Sequence, residues 1–143
     1  MMEIRHVQAS DREFWIRLDA HLPPEQFDRK VRDRQGYVAL LDGRPVGLMR
    51  YNLFWDGIPF CTMLYVDEAC RGAGVGSALM ARWEREMADA GYGMALVSTQ
   101  VDEDAQHFYR QQGWRDCGCL VLELPGSEQP MEMFLAKPLK KTR

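Results

Sequence analysis

The sequence feature that most constrains the fold is the glycine-rich segment RGAGVGS at residues 71–77. An extended, largely apolar run precedes it at 60–67, and a run with the apolar spacing of an amphipathic helix follows it at 77–90. The order strand, glycine turn, helix collects unpaired backbone N–H groups and the positive end of a helix dipole at one place. Such a turn is suited to bind phosphate groups, and Arg71 adds a cation at its mouth.

Three known phosphate-binding loops have similar spacing, and two of them fit poorly. A P-loop needs a lysine before its Ser or Thr, whereas a glycine precedes Ser77 here. A dinucleotide fingerprint needs a third glycine where Ser77 stands, and an acidic residue after the next strand, which instead ends in Ser-Thr-Gln. The third pattern, Arg/Gln-x-x-Gly-x-Gly/Ala, is matched by Arg71, Gly74 and Gly76. From this segment alone, a tight turn without a ligand is the remaining alternative.

A second pattern lies further along the chain, at residues 102–114. It is similar to the signature Asn-x-x-Ala-x-x-Phe-Tyr-x-x-x-Gly-Phe. Asp102 replaces the Asn, Trp114 replaces the final Phe, and the signature is otherwise matched by Ala105, Phe108, Tyr109 and Gly113.

Together these patterns resemble the GNAT superfamily of acyl-CoA-dependent N-acyltransferases. The glycine segment matches the pyrophosphate loop of that family, and the pattern at 102–114 matches its second signature. The run before the loop also fits the family's Leu-x-Val strand motif, with Leu64, Tyr65 and Val66. Two motifs in the right order, with a predicted strand between them, are far more specific than either alone. The resemblance extends along nearly the whole chain.

The apolar patterns predict the element order β-α-α-β-β-β-α-β-α-β-β. They place the glycine segment between a strand at 58–66 and a helix at 77–90, and they place a last helix after a cap at Asp102. The final strands are predicted at 114–124 and 131–136. With the resemblance, this predicts an α/β fold with a mixed, mostly antiparallel sheet of about six to seven strands and helices on both faces. A single domain is expected over residues 1–143.

The resemblance implies an N-acetyltransferase that transfers the acetyl group of acetyl-CoA to a primary amine by direct attack in a ternary complex. Tyr109 matches the family's general acid, which assists departure of the thiolate. Asp102 is expected either to cap the helix or to help position the cofactor arm. The implied cofactor-binding residues are Leu64, Tyr65 and Val66, along the acyl-pantetheine arm, and Arg71, Gly72, Ala73, Gly74, Val75, Gly76 and Ser77 around the pyrophosphate. The Val66 N–H is expected to bind the acyl oxygen. The alternative is a catalytically silent acyl-CoA-binding or regulatory module on the same fold.

The general base and the acceptor amine are not assigned by the sequence. The strand before the glycine segment contains no carboxylate, and the other candidates for a base are His21, Glu25, Asp28 and Asp56. The segments that line the acceptor side in this family contain both acidic and aromatic residues, which would suit a cationic amine. They are Glu25, Phe27, Asp28, Tyr51, Asn52, Trp55 and Asp56.

Composition and sequence patterns argue against several other classes of protein. The net charge of −3 gives no support for nucleic-acid binding, although Lys140, Lys141 and Arg143 form a short basic tail. No apolar run is long enough to span a membrane, and no signal peptide is evident, so a cytoplasmic location is expected. The four cysteines lack zinc-site spacing, so no metal is expected; Cys61 and Cys119 are predicted to pack in the core. Homodimerisation through the C-terminal strands is common in the family.

Overall fold

The computed structural model describes residues 1–140. Lys141 and Arg143 of the basic tail lie outside the described residues. Within 1–140, two short 3₁₀ helices (Ala9–Asp11 and Glu68–Cys70) accompany the main elements. In chain order these are β1 (Met2–His6), α1 (Arg12–Leu18), α2 (Pro24–Asp33), β2 (Gly36–Leu41), β3 (Arg44–Phe54), β4 (Ile58–Val66), α3 (Val75–Asp89), β5 (Met94–Gln100), α4 (Ala105–Gln111), β6 (Arg115–Leu120) and β7 (Glu132–Pro138).

The strands form one seven-stranded sheet in the order β1-β2-β3-β4-β5-β7-β6. Every neighbouring pair is antiparallel except β4 and β5, which are parallel. This confirms the predicted fold class and the predicted element order. Because all strands belong to one sheet, we infer that the chain forms one domain. None of the helices within 1–140 is both long and apolar enough to cross a membrane.

The two faces of the sheet have separate cores. On one face, Trp15 of α1 and Phe27 of α2 pack with apolar side chains of β2 and β3. On the other face, the apolar stripe of α3 is buried in the larger core, with Trp83 fully buried. Gly47 of β3 allows close approach here, because a Cβ at this position would lie 3.1 Å from Cγ1 of Val75. The first turn of α3 is therefore pressed directly against the sheet.

Several predicted boundaries at the C-terminal end differ from the structure, including those of the last helix and the strand that follows it. The last helix begins at Ala105 with Asp104 as its N-cap, and not after a cap at Asp102. The carboxylate of Glu103 accepts a hydrogen bond from the Gln100 N–H at 3.0 Å, which holds a turn where helix was expected. Strand β6 ends at Leu120 rather than at residue 124.

Of the two cysteines predicted to lie in the core, only one does so. Cys61 is 2% exposed, as predicted. Cys119 is exposed, because β6 is an edge strand whose residues all remain accessible to solvent. An apolar-looking strand segment does not reveal from sequence whether it lies at the edge of a sheet.

A buried ion pair connects the helices of one face to β4. The side chain of Asp19, which follows α1, is fully buried and contacts Nε of Arg50 at 2.6 Å. Trp15 donates its indole N–H to the same carboxylate at 3.1 Å, and Arg50 donates to Oγ1 of Thr62 at 3.0 Å. The charges are thus paired and hydrogen-bonded, which is the condition under which burial is tolerated.

We expect Asp19→Asn to lower the free energy of unfolding by about 3 kcal/mol, because it leaves the Arg50 charge buried without a counter-ion. Chemical denaturation monitored by tryptophan fluorescence measures this change. The matched control is Asp33→Asn, which alters an exposed pair with Arg32 and is expected to leave the transition unchanged. Equal transitions for both variants would contradict the assignment of Asp19 as a central support.

Candidate active site

The site begins where two central strands separate. Strands β4 and β5 pair at only two positions, Phe60 with Leu96 and Cys61 with Val97. Beyond Cys61, β4 continues along β3, while β5 continues along β7. The backbone edge of β4 from Thr62 onward therefore has no strand partner on the β5 side. A gap opens in the middle of the sheet, lined by main-chain polar groups that need partners.

A bulge in β4 coincides with the point of separation. The register of β3 against β4 shifts between Arg50 and Tyr51, which pair with Met63 and Cys61 and leave Thr62 as the extra residue. A bulge bends its strand and increases the local twist. The hydrogen bond from Arg50 to Oγ1 of Thr62 holds this extra residue in place.

The glycine segment lies at one end of the gap and carries free amide groups. Gly72 and Gly74 have φ values of +87° and +82°, which L side chains rarely adopt. The Ala78 N–H donates to the Gly74 carbonyl at 3.0 Å, so the preceding amides of the first turn of α3 have no intrahelical acceptor. Helix α3 begins at Val75, so the positive end of its dipole lies at these amides. The arrangement is suited to bind an anion.

The Arg71 side chain is exposed, but two contacts hold it against β4. Its Nε donates to the Val66 carbonyl at 3.1 Å, and its guanidinium lies 5.2 Å from the ring centroid of Tyr65. These contacts join the glycine segment to the strand that precedes it. The Arg71 charge is therefore held at the mouth of the anion-binding turn.

Two cavities meet in the gap. The first, which we call the loop cavity, has a volume of about 600 Å³ and is lined by Leu64, Tyr65, Val66, Cys70, Arg71, Gly72, Gly74, Val75, Gly76, Ser77, Glu103, Ala105, Phe108 and Tyr109. The second, the strand cavity, has a volume of about 300 Å³ and is lined by His21, Cys61, Thr62, Met63, Leu64, Ser98, Thr99, Gln100, Glu103, Ala105, Tyr109 and Glu132. Four residues line both cavities: Leu64, Glu103, Ala105 and Tyr109.

Tyr109 is the buried polar side chain at this junction. It is only 5% exposed, and its ring packs against Phe108 and Trp114 at centroid distances of 5.4 and 6.3 Å. Within residues 1–140 its hydroxyl makes no hydrogen bond. Burial raises the pKa of Tyr109 well above its usual value, and the nearby Cys61 and Glu103 raise it further. The hydroxyl therefore remains protonated and available as a donor at any pH at which the protein would work.

The comparison with known proteins places the fold and these motifs in one family. The profile of the Acetyltransferase (GNAT) family matches residues 2–114. The chain belongs to this family. An uncharacterised N-acetyltransferase of Methanocaldococcus jannaschii is 32% identical over 105 residues, a match that covers 71% of this chain. The match spans 66% of that relative, slightly less than two thirds of its length.

Solved GNAT-type structures superpose on almost the entire chain. Ard1 from Thermoplasma volcanium has a TM-score of 0.85 at 19% identity. The match covers 98% of this chain and 99% of Ard1. A Bacillus anthracis acetyltransferase in complex with acetyl coenzyme A has a TM-score of 0.83 at 16% identity. The match covers 97% of this chain and 100% of that protein. The ribosomal-protein-S18-alanine N-acetyltransferase of Escherichia coli has a TM-score of 0.80 at 15% identity. The match covers 100% of this chain and 97% of that protein. At these identities the likeness establishes the fold.

The GNAT fold brings most of the predicted site residues to the loop cavity. Among the predicted cofactor-binding residues, Ala73 and Asp102 line neither cavity. Of the candidates for a base, His21 lines the strand cavity, whereas Asp28 forms an ion pair with Arg12 at 2.8 Å.

The residues predicted for the acceptor side are mostly elsewhere in the GNAT fold. Phe27 and Tyr51 belong to the two cores, at 1% and 8% exposure. Trp55 and Asp56 form the turn between β3 and β4, with φ values of +53° and +60°. The lining carboxylates are instead Glu103 and Glu132, which the sequence did not single out. In the sequence, Glu103 is an ordinary acidic residue at the start of the last predicted helix, and Glu132 belongs to no motif.

A pair of glycine substitutions separates backbone strain from ligand binding. Gly74 and Gly43 both have φ of +82°, and a Cβ at either position meets nothing within 4 Å. Gly43 lies in the turn between β2 and β3, remote from the glycine segment. We expect alanine at either position to cost about 1 kcal/mol of stability, from the left-handed backbone alone.

Only Gly74→Ala is expected to weaken acetyl-CoA binding, by about tenfold, because it displaces the amides at the start of α3. Calorimetric titration of acetyl-CoA into both variants measures the difference. Equal affinities for the two variants would show that the glycine turn does not hold the ligand.

Proposed function

We propose that the protein is an acetyl-CoA-dependent N-acetyltransferase that transfers an acetyl group directly to a primary amine. The observation that carries this proposal is the meeting of the two cavities at the unpaired hydroxyl of Tyr109. One cavity has the amide-lined turn that a pyrophosphate needs, and the other has polar and acidic groups that an amine needs. Direct attack requires both substrates to reach one point from different sides.

Acetyl-CoA is the proposed donor. Its pyrophosphate would bind the backbone of Arg71, Gly72, Gly74, Val75, Gly76 and Ser77, supported by the dipole of α3. The acyl-pantetheine arm would follow the unpaired edge of β4 along Leu64, Tyr65 and Val66, as a peptide strand adds to an open sheet edge. The Val66 N–H is the proposed donor to the acyl oxygen, whose negative charge grows during attack. Family membership and the acetyl coenzyme A complex of a structural neighbour support this choice.

Tyr109 is the proposed donor to the departing sulfur. The amine nitrogen attacks the thioester carbon, the carbon–sulfur bond breaks, and the thiolate of CoA forms beside the junction. Since burial raises the pKa of Tyr109, complete proton transfer to a thiolate is energetically uphill. Tyr109 therefore acts chiefly by donating a hydrogen bond that stabilises the thiolate. The thiolate takes its final proton from solvent as CoA leaves.

Glu103 is the proposed proton acceptor for the amine. It lines both cavities, and its charge acts on the Tyr109 hydroxyl, so it lies near the reacting atoms. One carboxylate oxygen, Oε1, is engaged by the Gln100 N–H, which fixes the orientation of the group. The other oxygen is the proposed site that receives the proton released when the amine becomes an amide, directly or through one water.

We expect Tyr109→Phe to lower kcat about 100-fold while acetyl-CoA affinity changes little, because only the hydroxyl is removed. Steady-state release of CoA thiol with a pool of primary amines measures kcat, and calorimetry measures affinity. Turnover equal to that of the wild type would remove Tyr109 from the mechanism. Acetyl-CoA binding without turnover for the wild type and any amine would favour the silent acyl-CoA-binding module.

Glu103→Gln is expected to lower kcat about 100-fold. Glutamine keeps an oxygen that accepts the Gln100 N–H, so the turn before α4 and the thermal unfolding midpoint should be retained. The matched control is Asp104→Asn, which removes the neighbouring carboxylate but alters a residue that lines neither cavity. Similar rates for the two variants would exclude Glu103 as the proton acceptor.

A further inference from the structure

The strand cavity has an unusual balance of charge. Two carboxylates line it, from Glu103 and Glu132, together with the imidazole of His21. Within the part of the chain that the structure describes, no lysine or arginine lines it. Arg50 bonds to the lining residue Thr62, but its charge is paired with Asp19 behind the cavity wall. The charged residues that line the cavity are therefore predominantly acidic, which favours a cationic ligand.

The two carboxylates occupy different parts of the cavity. Glu103 lies at the end shared with the loop cavity, whereas Glu132 lines the strand cavity alone. Their separation follows from the sheet, because Glu132 on β7 pairs with Gln100 on β5, and the Gln100 N–H binds Glu103. Directly paired residues lie about 5 Å apart, so the carboxylates are on the order of 5–10 Å from each other.

A second observation concerns a free hydrogen-bond donor in this cavity. Tyr109 is more than nine-tenths buried, lines the same cavity, and has a hydroxyl without a hydrogen-bond partner within residues 1–140. The hydroxyl oxygen is not among the fully buried side-chain atoms that lack a partner, so it opens into the cavity, where a ligand can accept its hydrogen bond. The acidic lining and the free hydroxyl therefore border the same space.

On the basis of the function proposed above, we propose that the acceptor is a small primary amine with a second cationic group, and that Glu132 binds this second group. The reacting amine must be neutral when it attacks, so it gains little from a fixed negative charge. A second ammonium group remains charged throughout and forms a charge-assisted hydrogen bond with Glu132. The proton of the reacting amine passes to Glu103 at the other end.

The size and lining of the cavity define the class of acceptor further. A volume of about 300 Å³ lies at the lower end of the range for small-molecule sites. Thr62, Ser98 and Thr99 supply neutral polar groups between the carboxylates. An acceptor with its own carboxylate would be repelled by both Glu103 and Glu132. The class is therefore a diamine or polyamine rather than a free amino acid.

Three acceptors of similar length test the charge of the second group. They are 1,5-diaminopentane, 5-aminopentan-1-ol and 5-aminopentanoate, whose second groups are cationic, neutral and anionic. The wild-type protein is expected to acetylate the diamine with kcat/KM at least about tenfold above the amino alcohol, with the amino acid lowest. Equal values for the diamine and the amino alcohol would overturn the proposal.

The variant Glu132→Gln tests whether the Glu132 carboxylate binds the second cationic group. We expect the KM for 1,5-diaminopentane to rise about tenfold with a much smaller change in kcat, so that the preference for the diamine over the amino alcohol is lost. The control is Glu123→Gln, which removes an exposed carboxylate outside the cavity and should keep the preference. A preserved preference in Glu132→Gln would also overturn the proposal.

Binding measured without turnover separates this inference from the proposed function. Calorimetric titration of 1,5-diaminopentane into the protein saturated with CoA should give about tenfold weaker binding for Glu132→Gln than for the wild type. If no amine is acetylated but this difference is found, the proposed function fails and the cation site stands. If the diamine binds both proteins equally, or no more tightly than the amino alcohol, the inference is wrong.

Discussion

The separation of β4 from β5 is the constraint on which the rest of the structure depends. A sheet normally satisfies its main-chain polar groups strand by strand, and exposed strand edges are usually covered. Here the two central strands pair at Phe60 and Cys61 and then separate. On their other edges, β5 stays paired with β7 and β4 with β3, so the gap lies inside the sheet rather than at its margin. The fold thus creates an open sheet edge in its interior, where an extended ligand can bind.

The charged and polar groups of the site converge on this gap from three elements. The amide end of α3 lies at one side, and Gly47 allows that end to approach the sheet closely. The turn before α4 supplies Glu103, and α4 itself supplies Tyr109. Because the pKa of Tyr109 is raised by burial, the same packing that stabilises α4 also keeps the hydroxyl a donor. Stability and the chemical state of the site therefore have one physical cause.

Local signals explain what the sequence predicted well. The segment 71–77 and the pattern at 102–114 combine residue types with fixed spacing, and they predicted the glycine turn and the helix that carries Tyr109. The apolar periodicity predicted the element order. The residues of the proposed acceptor side could not be predicted in this way. Glu103 and Glu132 approach each other only through the pairing of Gln100 on β5 with β7, which depends on strand register. Phe27 and Tyr51 were misassigned to this side because an aromatic residue has the same local pattern in a core and at a site.

The buried pair of Asp19 and Arg50 has a consequence for how this protein could diversify. It holds Thr62 in the bulge, and Asp19 also accepts the backbone N–H of His21 at 3.3 Å, so it supports two walls of the strand cavity. A substitution in that network would therefore change the shape of the cavity and destabilise the protein at the same time. Glu132 is not part of the network. If Glu132 binds the acceptor as proposed, new acceptor preferences are expected to evolve first by substitution at Glu132, where selection on specificity is largely free of selection on folding.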